Sequence, residues 1–266
     1  MNIVFNNCLD VKLEGLLNKV KTPVYDDPSY NHLVKADALR IKNHFWDSIE
    51  EYLTALEHDN SNKEAHKGLG LAYKQIGCIK SAVSAFNNAK KLNPFDKSLY
   101  FEAGCCYCID HKFTNAIKEF KKALKICPDY TEARYNLALA YDLSRQYDLA
   151  IKEYNHLISE NPGFIQSYNN LGSLYMKLDS YAKAIKVFKD FLKANPESAR
   201  PYLGIGISFD KLGDKVKAVR YYKKYLKLKP KSDNIPYIME RMSELNKTKP
   251  ASNKKSHKKP HLMLVS

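Results

Sequence analysis

No stretch of this 266-residue chain approaches the ~18 apolar residues that a membrane-crossing helix requires. It also lacks the pattern of an export signal: Asp10 and Glu14 interrupt the early apolar residues, and no basic start leads into a long apolar run. Zinc-type spacing is missing among the six cysteines. Cys105, Cys106 and Cys108 fall within one predicted helix and point in different directions, which excludes a compact disulfide framework. Thiols of this kind behave as small apolar side chains, and a reducing cytoplasm is the compartment they predict. The ten glycines form no phosphate-cradling loop. His32, His44, His58, His66, His111 and His156 are scattered, while His257 and His261 sit near the end of the chain without a scaffold. No catalytic constellation is visible. The expectation is therefore a chain that is not an enzyme and has no cofactor and no metal site.

What is present is a period. Pro94, Pro128, Pro162, Pro196 and Pro230 stand 34 residues apart. Placing the proline at position 32 of a repeat brings other columns into line. Position 8 reads Ala36, Gly70, Gly104, Ala138, Gly172 and Gly206; position 20 reads Ser48 and then Ala82, Ala116, Ala150, Ala184 and Ala218. Position 24 is aromatic throughout: Tyr52, Phe86, Phe120, Tyr154, Phe188 and Tyr222. Small residues at 8 and 20 allow two helices to approach closely, and the aromatics fill the space around that contact. Apolar residues spaced by three and four, as in Ala116, Ile117, Phe120, Ala123 and Leu124, predict amphipathic helices. The proline cannot continue a helix, so it sets the corner between units.

The pattern closely resembles the tetratricopeptide repeat family, and the resemblance covers residues 29–232. It implies an all-α fold: a right-handed α-solenoid of stacked antiparallel helix pairs. Six repeats are expected at 29–62, 63–96, 97–130, 131–164, 165–198 and 199–232. An N-terminal capping segment is expected over 1–28, a C-terminal capping helix over 233–245 and a basic disordered tail over 246–266. The family's concave groove is lined by the first helix of each pair, at positions 2, 5, 6, 9, 12 and 13. Carried onto this chain, that rule makes a peptide-binding groove of Lys67, Leu71, Lys74, Phe101, Cys105, Tyr135, Asn136, Leu139, Asn169, Asn170, Ser173 and Met176. The Lys/Asn clamp by which some members grip a peptide carboxylate is not matched, since Leu71 and Glu102 occupy two of its places. An asparagine ladder at position 6, as in the repeats of O-linked N-acetylglucosamine transferases, is matched by Asn136 and Asn170. The apolar groove members are either a partner site or packing between neighbouring units.

Charge adds a second feature. The formal net charge is +14, and two segments carry all of it: residues 199–232, with ten Lys or Arg against Asp210 and Asp214, and residues 246–266, with six Lys and no acid. In the last repeat the cations follow one helix as Lys215, Lys217, Arg220, Lys223, Lys224 and Lys227. The function these features predict is an adaptor or scaffold that holds a peptide segment or helix of another protein in the groove. The alternative is a nucleic-acid- or anionic-membrane-associated protein that makes a weak polyanion contact through the basic C-terminal end.

Overall fold

The computed structural model describes residues 27–247, so the expected N-terminal cap and most of the expected basic tail lie outside the described residues. Thirteen helices and no strand are found among the described residues. They are α1 Pro28–Ile41, α2 Phe45–His58, α3 Lys63–Gln75, α4 Ile79–Leu92, α5 Lys97–Ile109, α6 Phe113–Ile126 and α7 Thr131–Leu143. The remainder are α8 Tyr147–Glu160, α9 Ile165–Lys177, α10 Tyr181–Ala194, α11 Ala199–Lys211, α12 Lys215–Leu228 and α13 Ile235–Lys247. The chain divides into two compact units, one ending at Leu174 and one beginning at Tyr175.

Each helix pair is joined by a three-residue turn built the same way. Asn43, Gly77, His111, Arg145, Asp179 and Gly213 stand at the centre of these turns, and all six have positive φ, between 53° and 79°. Two residues' distance from each helix end, a backbone N–H reaches back across the left-handed residue. His44 donates to the Leu39 carbonyl at 2.9 Å, Cys78 to Tyr73 at 2.9 Å, Lys112 to Tyr107 at 2.8 Å and Gln146 to Tyr141 at 2.8 Å. This satisfies carbonyls that the helix end leaves without partners and reverses the chain. The second helix of a pair stops one residue before the repeat proline: α4 ends at Leu92, Asn93 caps it, and Pro94 follows. Asn62 then accepts from the Ala65 N–H to start α3, and Asp96 from the Ser98 N–H to start α5.

The aromatic column explains the small-residue column. A Cβ added to Gly70 would lie 2.6 Å from the Phe86 ring, and one added to Gly104 would lie 2.5 Å from Phe120. Position 8 is thus the seat of the position-24 ring of its own pair. Gly68 gives way in the same manner to Tyr52 of the preceding pair. In the first unit, one buried cluster gathers Ala36, Ile49, Tyr52, Ala55, Leu69 and Ala72, and another gathers Ala82, Phe86, Ala89, Leu99, Ala103 and Cys106. In the second unit the core comprises Phe188, Ile205, Phe209, Tyr222 and Tyr225, closed by Ile238 and Leu245 of α13. The fold class is an α-solenoid of antiparallel helix pairs.

Candidate functional site

The first helices α3, α5, α7 and α9 carry eleven of the twelve groove candidates within the first unit. Their surroundings correct the reading of an open apolar surface. Phe101, Cys105, Tyr135, Asn136 and Leu139 are all buried, none more than 4% exposed. Phe101 packs against the rings of Phe120 and Tyr130, and Tyr135 against Tyr154 and Phe164. Aromatic and apolar side chains at these positions are held between neighbouring helix pairs, so the packing alternative describes them. Burial pushes the Cys106 and Cys108 thiols up to about 12 and raises that of Cys105 well above its ordinary value, which keeps all three neutral. Among the described residues no group of three or more His, Cys, Asp or Glu is placed to hold a metal.

The two groove lysines are also engaged. Lys67 Nζ meets Asp96 at 3.0 Å, and Lys74 Nζ meets Glu102 at 2.6 Å. Lys67 reaches the N-cap of α5 and Lys74 reaches α5 itself, with both side chains of each pair largely withdrawn from water. Leu71, between them on α3, is half-buried against the α4–α5 core. Burial opposes ionisation of Asp96, yet hydrogen bonds from Ser98 and Lys67 outweigh it and hold its carboxyl below the usual range.

A polar face remains on α9. Asn170 Nδ2 donates to the Tyr135 hydroxyl at 2.8 Å and more distantly to that of Tyr154. Asn169 beside it is half-buried, and its Oδ1 is shut from water without a donor. Ser173, one turn on, is exposed. On α7, the buried Asn136 reaches only the Cys105 sulfur, at 3.6 Å, and its Oδ1 also lacks a donor. Within the second unit, Met176 is half-buried against the core.

The basic row is placed as a surface. Lys215, Lys217, Arg220, Lys223, Lys224 and Lys227 are exposed along α12. Beside them lies a cleft of ≈ 590 Å³ lined by Lys215, Val216, Val219, Arg220, Lys223, Leu245 and Asn246. Sequence reasoning missed this cleft because it needs α13, whose Leu245 supplies the far wall. A second cleft of ≈ 520 Å³ in the first unit, floored by Leu56, Leu69, Tyr73 and Ala85, was likewise not foreseen. It opens between α2, α3 and α4.

These are the marks of a helical-pair repeat scaffold. Sequence models described as tetratricopeptide repeats match residues 107–142, 131–164 and 169–233. Those segments are tetratricopeptide repeats. Comparison with curated proteins gives no match. Among solved structures, YrrB, described as a tetratricopeptide repeat protein with an unusual peptide-binding site, is similar at TM-score 0.59 and 16% identity, over 71% of this chain and 97% of its own. Pseudomonas aeruginosa PilF is similar at TM-score 0.60 and 17% identity, over 82% and 98%. A tetratricopeptide repeat protein from Parabacteroides merdae gives 0.56 and 19%, over 89% and 91%. Likenesses at this identity establish the fold. Repeats of this family are in general non-catalytic scaffolds for protein–protein interaction. No helix among the described residues is long and apolar enough to cross a membrane.

Proposed function

We propose that this protein is a non-catalytic adaptor that holds a segment of a partner protein against the polar face of α9 and the neighbouring α7. The observation that carries this reading is the half-buried Asn170 on α9, its amide oriented by the Tyr135 and Tyr154 hydroxyls, one turn from the exposed Ser173. The amide and the hydroxyl are groups with which the backbone of an extended segment pairs, each bond contributing about 0.5–1.5 kcal/mol. The Asn170 amide is held in place by two tyrosine hydroxyls, so a ligand meets a group already oriented. The five described cysteines are free thiols, which supports action in the reducing cytoplasm.

A photo-crosslinking residue at Ser173 identifies the bound segment, with one at the exposed Lys118 on a second helix as control. The proposal expects a discrete partner segment joined through position 173 and not through position 118. Equal capture from both positions overturns it.

A further inference from the structure

Helices α2 and α12 each carry charge of one sign, and the signs are opposite. Helix α2 holds Asp47, Glu50, Glu51 and Glu57 with no Lys or Arg, and α12 holds six cations with no acid. On α2, Trp46, Glu50, Leu53 and Glu57 succeed each other at spacings of four, three and four, which places them in one row along the helix. That row faces outward: Trp46 is 67% exposed and Leu53 42%, and neither Glu50 nor Glu57 makes an ion pair with a described residue. On α12, Val216, Val219, Arg220 and Lys223 form the matching row, which borders the cleft against Leu245. Val216 is 80% exposed. Lys217 is tied to Asp214 at 2.6 Å, and Lys224 lies over the Tyr202 and Tyr221 rings, whereas Arg220 and Lys223 make no ion pair with a described residue.

We propose that the acidic outer face of α2 docks into the basic, apolar-floored cleft of α12 and α13 on a second copy of this chain. Laid antiparallel, Leu53 meets Val216, Glu50 meets Arg220, and the Trp46 indole lies beside Lys223. At a rise of 1.5 Å per residue, Trp46 and Leu53 stand roughly 10 Å apart along the axis, and so do Lys223 and Val216. Charge sets the register and apolar contact supplies the buried area. A nucleic acid satisfies the cations but offers nothing apolar to Val216, Val219 and Leu245. A bilayer presents a flat surface, whereas the cleft is concave and fits a helix ridge. The contact is heterologous, since the donor face and the acceptor cleft are different surfaces, so it joins copies head to tail.

Sedimentation equilibrium of the full chain over a concentration series at low salt tests this. Emission from Trp46, the only tryptophan, is read on the same samples. The expected result is an average mass that rises with concentration together with a blue shift of Trp46, both suppressed by salt. R220E/K223E and E50K/E57K each weaken association about tenfold or more, because like charges then oppose one another. The chain carrying all four reversals associates again, since its acidic and basic faces are exchanged. Circular dichroism confirms that these exposed substitutions leave the helices intact. A chain that stays monomeric overturns the proposal, whether or not α12 then binds nucleic acid or anionic vesicles. Association with unmoved Trp46 emission, or failure of the four-fold reversal to restore it, also overturns it.

Discussion

At the scale of the residue, the recurring device is a glycine or alanine that makes room for an aromatic ring. Gly104 is helical and has no unusual φ, so its role is space alone: an added Cβ meets three carbons of Phe120 at 2.5–2.9 Å. Alanine gains up to ~1 kcal/mol of helix propensity over glycine. Forcing a methyl against a buried ring costs about 1–3 kcal/mol. Gly104→Ala is therefore expected to destabilise the fold, with a lower urea midpoint, whereas Gly163→Ala, which meets only the Asn161 side-chain oxygen at 3.5 Å, leaves it unchanged. A Gly104→Ala midpoint equal to wild type would show that Phe120 moves aside freely. These columns were legible in the sequence because steric demand fixes the residue type. The left-handed turn residue was not: Asn43, Gly77, His111, Arg145, Asp179 and Gly213 share a φ and a position but no side-chain chemistry. The exposure of three groove candidates was misjudged for a related reason. Phe101, Tyr135 and Leu139 occupy surface positions by repeat number, but their side chains are buried, Phe101 against Phe120 and Tyr130, and Tyr135 against Tyr154 and Phe164.

At the scale of the element, ion pairs fasten helices that are distant in sequence. Lys90 of α4 and Glu119 of α6 meet at 2.9 Å with side chains only 9% and 11% exposed. Burial pulls the Lys90 ammonium down in pKa despite Glu119, so desolvation outweighs the attraction there. Removing one partner strands the other: Glu119→Leu is expected to cost about 3 kcal/mol, while Lys90→Met with Glu119→Leu falls close to wild type. A double mutant as unstable as the single would show that the pair itself supplies net stability. The closing helix α13 is held by Arg241, whose Nε and Nη2 donate to the two Asp210 oxygens at 2.7 and 2.8 Å. That guanidinium holds the Asp210 carboxyl below its usual value. Its contribution is then fully present above the ordinary carboxylate pKa near ~4 and is lost as pH falls through the depressed folded value. Acid titration followed by circular dichroism should show α13 loosening below pH ~4, with Arg241→Gln reducing the pH-dependent part. Identical acid curves for the two proteins would exclude the pair as the cause. The sequence announced α13 by its apolar spacing, but nothing in the spacing tied Arg241 to Asp210, 31 residues earlier.

At the scale of the whole molecule, fold and function were unequally legible. A 34-residue period with small and aromatic columns leaves few alternatives to paired helices, so the fold class followed from the sequence. The site did not follow, because repeat proteins share a scaffold and differ in surface residues that no packing rule constrains. Lys67 and Lys74 show the difficulty: both stand at groove positions by repeat number, and each is paired with an acid on the α5 side, Asp96 and Glu102. The charge distribution was legible in part. The cationic row of α12 was plain, but its apolar neighbour Val216 and the wall formed by Leu245 emerged only from the folded chain. The central claim is that the α9 face holds a partner segment. The most direct test is a calorimetric titration of the segment captured at Ser173 into wild type and into the double variant N170A/S173E, with helicity checked on both. The account predicts binding to wild type and at least about tenfold weaker binding to the variant, the loss of roughly one hydrogen bond and its register. Equal affinity for the two proteins, with helicity unchanged, would contradict it.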